Sequence, residues 1–166
     1  MAYHMQKKRR NTRRFRLLGA AVAFVTATPI AHAAQSPDIA KKYRDCLNRV
    51  ETDPHQAFEF AITWRDEGGG APAHHCVAMA LLEQGHIEEA ALRLEKLALR
   101  PDAGGKAERA EILAQAGHAW LLADRPVEAD VDFTSAIELT PNKPQAYLDR
   151  AQASHMRGLW DDVIVD

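Results

Sequence analysis

The sequence predicts an all-α protein in which short helices pair and stack along the chain. Prolines and glycines divide residues 36–166 into segments of about a dozen residues or more, the length of ordinary helices. Apolar side chains inside these segments recur every three or four positions, which is the period of one helix face. Similar residues also return at an interval of 34 positions, and such periods indicate repeat architectures.

Each of the first two segments opens on a proline. Residues 36–38 combine an N-cap serine, a first-turn proline and an acid favoured by the helix dipole, so a helix is expected from there to about Val50. Asp53 and Pro54 repeat this signal and open a second helix. Three consecutive glycines at 68–70 are expected to end it, because they lose too much backbone entropy to remain helical.

The rest of the chain is expected to hold two more helix pairs and part of a third. Gly85 separates the two helices of one pair and suits a left-handed C-cap. The predicted helices span 73–84, 87–99, 107–122, 126–139 and 145–157, with the start of one more at Trp160.

One stretch, 110–143, carries the repeat in full. Its residues are, in order, Leu113-x2-Ala116-Gly117-x2-Trp120, Ala129-x3-Phe133, Ala136 and Pro141. This pattern resembles the tetratricopeptide repeat, a helix pair marked by aromatic, Leu-Gly and aromatic residues and then by Ala, Phe and Pro. Gly117 and Ala129 are small where the two helices are expected to cross, and Trp120 and Phe133 are expected to fill the space on either side.

Two other stretches follow the same phase. Tyr147-x2-Arg150-Ala151 lies one repeat later, and Val77-Ala78-x2-Leu81 lies earlier by an offset of 39 residues. The resemblance implies an α-solenoid of about three to four tetratricopeptide-type helical hairpins. The expected repeat domain, 34–166, holds a degenerate pair at 37–67, pairs at 71–101 and 107–141, and a truncated pair at 144–166.

Residues 1–33 have the three parts of a secretory signal peptide. A basic stretch at 7–16 precedes a short apolar run, Leu17–Ile30, and Ala31-His32-Ala33 supplies small residues for cleavage after Ala33. The run is shorter than the roughly 20 apolar residues of a membrane span, so no stable anchor is expected after cleavage. We therefore expect a periplasmic or secreted protein, and both the general and the twin-arginine export routes remain open.

The net charge of −2 conceals an acidic body. The leader carries seven Lys and Arg and no acid, which leaves 14 Lys and Arg against 23 Asp and Glu, a net charge of −9. Nucleic acids and anionic membranes both require a positive surface, so neither is expected as a partner.

The two cysteines, Cys46 and Cys76, are candidates for a disulfide, because an even count in an exported protein favours one. The resemblance also places them on the first helices of successive pairs, which stack side by side. The alternative is a pair of buried free thiols that act as small apolar residues.

Neither a metal site nor catalysis is expected. His74, His75 and Cys76 are adjacent, and adjacent residues of a helix point about 100° apart, which is unsuited to one metal ion. Paired carboxylates such as Glu88-Glu89 are explained by helix first turns, and no nucleophile motif or phosphate loop accompanies them. No enzyme activity and no cofactor are therefore predicted.

The resemblance implies a concave groove lined by the first helix of each pair. The implied lining residues are His75, Met79, Leu82, Ala114, Gln115, His118, Leu121, Leu122, Leu148, Asp149, Gln152 and His155. Family members that clasp acidic C-termini use Lys, Arg and Asn at such places, whereas Ala114, His118 and Asp149 stand here. An extended or helical peptide held by apolar anchors suits this lining better.

The expected function is an exported protein-interaction module or scaffold that binds a protein or peptide in the groove. The alternative is an accessory repeat domain of a larger cell-envelope enzyme or assembly machine, with this chain as a fragment. The last helix is short, and repeat arrays need their terminal apolar face covered. Self-association through this open C-terminal end is therefore a third interpretation.

Overall fold

The computed structural model describes residues 37–158, which form seven α-helices and no β-strand. The helices are α1 (Pro37–Thr52), α2 (Pro54–Asp66), α3 (Gly70–Glu83), α4 (Ile87–Ala98), α5 (Lys106–Leu122), α6 (Pro126–Leu139) and α7 (Pro144–Met156). The all-α prediction is thus confirmed for this part of the chain. The predicted signal peptide and the helix expected at Trp160 lie outside it.

Several helices begin at the prolines that the sequence indicates as helix starts. Proline occupies the first turn of α2, α6 and α7, where its missing N–H costs no hydrogen bond. The Asp53 carboxylate also accepts a bond from the Gln56 backbone N–H at 3.0 Å and caps α2.

One helix start differs from the sequence prediction by more than one residue. The third helix begins at Gly70, three residues before the predicted start at 73. Gly70 has a φ of +62°, so the chain turns at this glycine and resumes helical geometry at once. The Asp102 carboxylate accepts a bond from the Ala71 backbone N–H at 3.0 Å and holds the early first turn in place.

Four of the helix ends are built alike, and one of them is the end of α2, where Gly68 has a φ of +88° and the Gly69 N–H bonds the Trp64 carbonyl at 2.9 Å. Gly85, Asp124 and Gly158 follow α3, α5 and α7, and their φ angles are +83°, +57° and +75°. After α3, the His86 N–H bonds the Leu81 carbonyl at 2.9 Å, and after α5 the Arg125 N–H bonds the Trp120 carbonyl at 2.8 Å. Both bonds span six residues, as in the left-handed C-cap. The cap at Gly85, Asp124 and Gly158 therefore recurs after successive odd-numbered helices.

The helices stack in chain order. Each helix packs against the next, and in addition α1 packs against α3 and α5 packs against α7. The described part is therefore a helical, repeat-like stack, in which α1 also lies beside α3 and α5 beside α7. None of the helices between residues 37 and 158 is long and apolar enough to cross a membrane.

The helices α5 and α6 cross closely at Gly117. A Cβ atom built on Gly117 would lie 2.7 Å from Cε1 of Phe133, so no larger residue fits here without movement. Phe133 and Ala129 are fully buried, and Trp120 is nearly so. The small and large residues therefore interlock as the sequence predicts.

A disulfide joins α1 to α3 at the start of the stack. It connects Cys46 and Cys76, whose Cα atoms are 6.3 Å apart and whose sequence separation is 30 residues. Both cysteines are fully buried among the apolar residues of α1–α4. Of the two alternatives left open by the sequence, the structure contains the bonded pair.

Candidate functional site

Two neighbouring cavities lie beside α5. The larger, of about 340 Å³, is lined by residues of α1, α3 and α5 together with Leu97 of α4 and the 102–104 loop. The smaller, of about 110 Å³, lies between α5, α6 and α7. Glu111 and Gln115 of α5 line both cavities. We call the two cavities and these residues between them the groove surface.

A line of hydrogen bonds crosses the groove surface from α1 to α5. The Tyr43 hydroxyl lies 2.8 Å from Nδ1 of His75, and Nε2 of His75 lies 2.6 Å from Oε1 of Gln115. The rings of Tyr43 and His75 also meet edge to face, with their centroids 5.8 Å apart. Three helices that are distant in sequence are thereby held at fixed spacing.

Burial determines how the protons of this line are arranged. Burial lowers the pKa of His75, although the bond to Gln115 opposes the change. Burial also raises the pKa of Tyr43. Both groups are therefore neutral near pH 7, so the Tyr43 hydroxyl donates to Nδ1 and the Nε2–H of His75 donates to Gln115.

A second polar cluster joins α5 to α7 at the smaller cavity. Nε2 of His118 lies 3.5 Å from Oδ2 of Asp149, and the Gln145 amide donates to Oδ1 of Asp149 at 2.8 Å. Asp149 is only 5% exposed, so it is a fixed acceptor at the floor, whereas half of the His118 side chain is exposed. The His118 ring also packs edge to face on Phe133 at 5.1 Å.

The groove surface carries more acids than bases. Asp102, Glu108 and Glu111 line the larger cavity, which has no Lys or Arg among its lining residues. Asp102 already binds Arg100 at 2.8 Å, and this bond lowers the pKa of Asp102. In the smaller cavity Lys143 lies 3.8 Å from Glu111. This surface suits hydrogen-bond donors and cations better than anions.

The structure brings some of the predicted groove residues together. His75, Ala114, Gln115, His118 and Asp149 all line one or both cavities. Sequence reasoning missed Tyr43 and Glu111 as members of this set. Tyr43 lies 32 residues before His75, close to one repeat length, and this spacing is the signal that points to it.

The other implied residues lie outside the two cavities. Met79, Leu82 and Leu121 are half-buried and pack against core clusters. Gln152 and His155 are exposed. Leu122 and Leu148 are 66% and 61% exposed, and Leu122 follows His118 by one helical turn. These two leucines offer apolar area beside the polar clusters.

The adjacent histidines and cysteine do not converge on one point. Cys76 is bonded to Cys46, and both ring nitrogens of His75 have hydrogen-bond partners. Within residues 37–158 no group of three or more His, Cys, Asp or Glu side chains is placed to hold a metal ion.

Comparison with known proteins assigns no family to this arrangement. No protein-family model matches the chain, and no curated protein matches it.

Proposed function

We propose that this is an exported repeat protein of the tetratricopeptide type, and that it binds a segment of a partner protein on the groove surface. The observation that carries the proposal is the hydrogen-bonded line from Tyr43 through His75 to Gln115, which holds α1, α3 and α5 around the larger cavity. A fixed concave surface of this kind binds without first ordering its own side chains, which lowers the entropic cost of association.

Three features support the tetratricopeptide-type solenoid. The first is the sequential stacking of the helices, in which α1 also packs on α3 and α5 also packs on α7. The second is the contact between Gly117 and Phe133 at the position where the repeat pattern has a small residue and an aromatic one. The third is the left-handed C-cap that recurs at Gly85, Asp124 and Gly158.

The groove surface favours an extended segment with free backbone groups. Gln115 uses its Oε1 atom for His75, and no bond from its Nε2 amide is found within the described helices. This half-buried amide is therefore free to donate to a partner carbonyl, and the carboxylate of Glu111 beside it accepts from a partner N–H or cation. The exposed Leu122 and Leu148 suit apolar side chains of the same segment.

Export is supported by the disulfide. Cys46 and Cys76 are bonded, and such bonds persist in oxidising compartments such as the bacterial periplasm rather than in the cytosol. The leader-like composition of residues 1–33 supports the same location.

Affinity capture with charge-matched variants tests the proposal. The purified protein is immobilised, and retained proteins from a cell-envelope extract are identified and quantified by mass spectrometry. Glu111→Lys reverses one charge between the two cavities, and Glu59→Lys makes the same change at an exposed position of α2. We expect Glu111→Lys to lower retention of the partner about tenfold or more, the scale expected for a charge reversal at a contact.

The matched variant separates groove binding from a general charge effect. Glu59→Lys is expected to retain the partner as the parent protein does. Equal retention by both variants, or equal loss in both, would contradict binding at the groove surface. Glu111 lies 3.8 Å from Lys143 and both side chains are well exposed, so loss of that pair costs little stability.

A further inference from the structure

A third cavity, of about 290 Å³, lies away from the groove surface, between α4, α5 and α6. Its lining residues are Glu95, Leu99, Leu113, Glu128, Val131 and Asp132. We call it the acidic pocket, because three of these six side chains are carboxylates and none is a base. The other three supply apolar walls.

Asp132 is the residue that points to a ligand. It is only 5% exposed, and its Oδ2 atom is buried without a hydrogen-bond partner. A buried carboxylate oxygen without a partner is costly to keep and is rare in folded proteins. A binding group that supplies the missing donor removes this cost.

The other carboxylates of the acidic pocket already have partners. Glu95 of α4 accepts a bond from Nε1 of Trp120 at 2.7 Å. Glu128 forms a close ion pair with Arg125, which also lies 3.7 Å from Glu88. Arg125, at the rim of the pocket, is therefore already paired with other carboxylates. Asp132 is the carboxylate of the pocket that has a buried acceptor atom without a donor.

The apolar walls of the acidic pocket suit a ligand with a hydrocarbon chain. Leu99 is 80% exposed and Val131 is 60% exposed, whereas Leu113 is half-buried on α5. A metal ion does not suit such walls, because hard cations prefer a shell of oxygen ligands. A ligand with a hydrocarbon chain and one compact positive end matches both the walls and the floor.

We propose that the acidic pocket binds an alkylammonium group. The ammonium donates to Oδ2 of Asp132 and lies within the field of Glu95, and its hydrocarbon stem covers Leu99, Leu113 and Val131. A free aliphatic amine and the side chain of a lysine in another protein share this chemistry. The inference concerns a surface other than the groove and does not rest on the proposed function.

The direction of the pH dependence follows from Asp132. Burial, and secondarily Glu95, raises the pKa of Asp132 to about 7. The charged groups around the pocket are Glu95 from α4, Glu128 from α6 and Arg125 at the rim. Ammonium binding is therefore expected to tighten between pH 6 and pH 8, as Asp132 loses its proton.

Titration with n-butylammonium chloride, followed by NMR or calorimetry at constant ionic strength, tests the proposal. The neutral n-butanol and methylammonium, which keeps the N–H donors but lacks the stem, are the ligand controls, and both are expected to bind at least tenfold more weakly. Asp132→Asn keeps the shape and removes the charge, so it is expected to weaken n-butylammonium about tenfold or more. Glu138→Gln removes one exposed charge from the same helix outside the pocket and is expected to bind as the parent does.

A second variant tests the apolar wall. Val131→Ser changes an exposed side chain, so folding is retained, and binding is expected to fall severalfold because stem contact is lost. The groove variant Glu111→Lys is expected to leave n-butylammonium binding unchanged, which separates the acidic pocket from the proposed function.

The source of the amine is read from a blocked lysine. A lysine of a partner protein is supported if N-acetyl-lysine N-methylamide binds at least as tightly as n-butylammonium. In that case N-acetyl-norleucine N-methylamide, which lacks the amine, is expected not to bind. If n-butylammonium binds and the blocked lysine does not, the result supports the proposed site and identifies a free amine as its ligand. Absence of saturable binding by either, or equal affinity in the parent and Asp132→Asn, would overturn the proposal.

Discussion

His75 of α3 and Gln115 of α5 are joined across 40 residues of sequence by a hydrogen bond of 2.6 Å, with Nε2 of His75 as the donor. The bond closes one side of the larger cavity and is continued on the other side by Tyr43. The bond links α3 to α5 across the groove surface. The protonation state of His75 therefore affects how firmly the two helices are held together.

Acidification is expected to destabilise the protein through His75. Burial lowers the pKa of His75 in the folded state below the ordinary value of 6.5. His75 therefore binds its proton more tightly in the unfolded chain than in the folded protein. The contribution of neutral His75 to stability is complete above about pH 6.5 and is lost as the pH falls below it. Thermal unfolding between pH 7.5 and pH 5 measures this loss.

His75→Gln provides the control for this titration. The pKa of His74 is also lowered, by burial and then by Arg100, so the parent protein alone does not isolate His75. The difference in unfolding free energy between parent and His75→Gln is expected to shift in favour of the variant as the pH falls. A difference that stays constant with pH would contradict the assignment.

Gly117→Ala is expected to destabilise the fold by about 1–3 kcal/mol, the usual cost of overpacking a core. The new methyl group collides with the Phe133 ring, whose nearest atom would lie 2.7 Å away. Urea unfolding measures the change. Phe133→Leu should relieve the collision, so the double variant is expected to lose less than the two single variants together. Strict additivity would contradict direct contact as the cause.

Reduction of the disulfide is expected to lower the free energy of unfolding by about 3–4 kcal/mol, the chain-entropy value for this loop length. Cys46 and Cys76 close a loop with a sequence separation of 30 residues. The measurement is urea unfolding with and without reductant, and the control is Cys46→Ala/Cys76→Ala, which should be insensitive to reductant. A parent protein with equal stability in both conditions would show that the bond does not constrain the chain.

Asp132→Asn is expected to stabilise the protein above pH 7. Folding raises the pKa of Asp132 from 3.8 to about 7, so the folded state holds its proton more tightly than the unfolded chain. Stability is therefore lost as the pH rises from about 4 to 7, and the full penalty applies above 7. At pH 8 the variant is expected to gain on the order of 2–4 kcal/mol, since each pKa unit corresponds to about 1.4 kcal/mol.

The pH profile is the decisive part of that measurement. Near pH 4 the Asp132 carboxyl is protonated in the folded state, so parent and variant are expected to have similar unfolding free energies. A gain of the same size at pH 4 and pH 8 would mean that the charge of Asp132 is not the cause.

The helices were predictable from the sequence because their ends are marked by residues with strong backbone preferences. Pro126 and Leu139 bound α6 as predicted, and Gly85 has the left-handed conformation expected of a C-cap. The start of α3 was misplaced, because its early first turn depends on Asp102, which lies 31 residues away from Ala71. Local pattern carries no information about such a distant cap.

The groove surface was only partly predictable for the same reason. Helical spacing gives the stripe of α5 that contains Gln115 and His118, but it does not show which neighbouring helix each residue faces. Tyr43 belongs to the site through its bond to His75, and Leu121 packs on the core instead. Likewise, no periodicity reveals that the buried Oδ2 atom of Asp132 lacks a hydrogen-bond partner.

The central claim, that a partner binds on the groove surface, is tested most directly by site-specific photo-cross-linking in living cells. A benzophenone amino acid is placed at position 111 or 118 of α5, and in control cells at position 55 or 59 of α2, all of which are exposed. We expect a discrete cross-linked product with a second protein from positions 111 and 118 and none from 55 and 59. Products of equal yield from all four positions, or products from α2 alone, would contradict the claim.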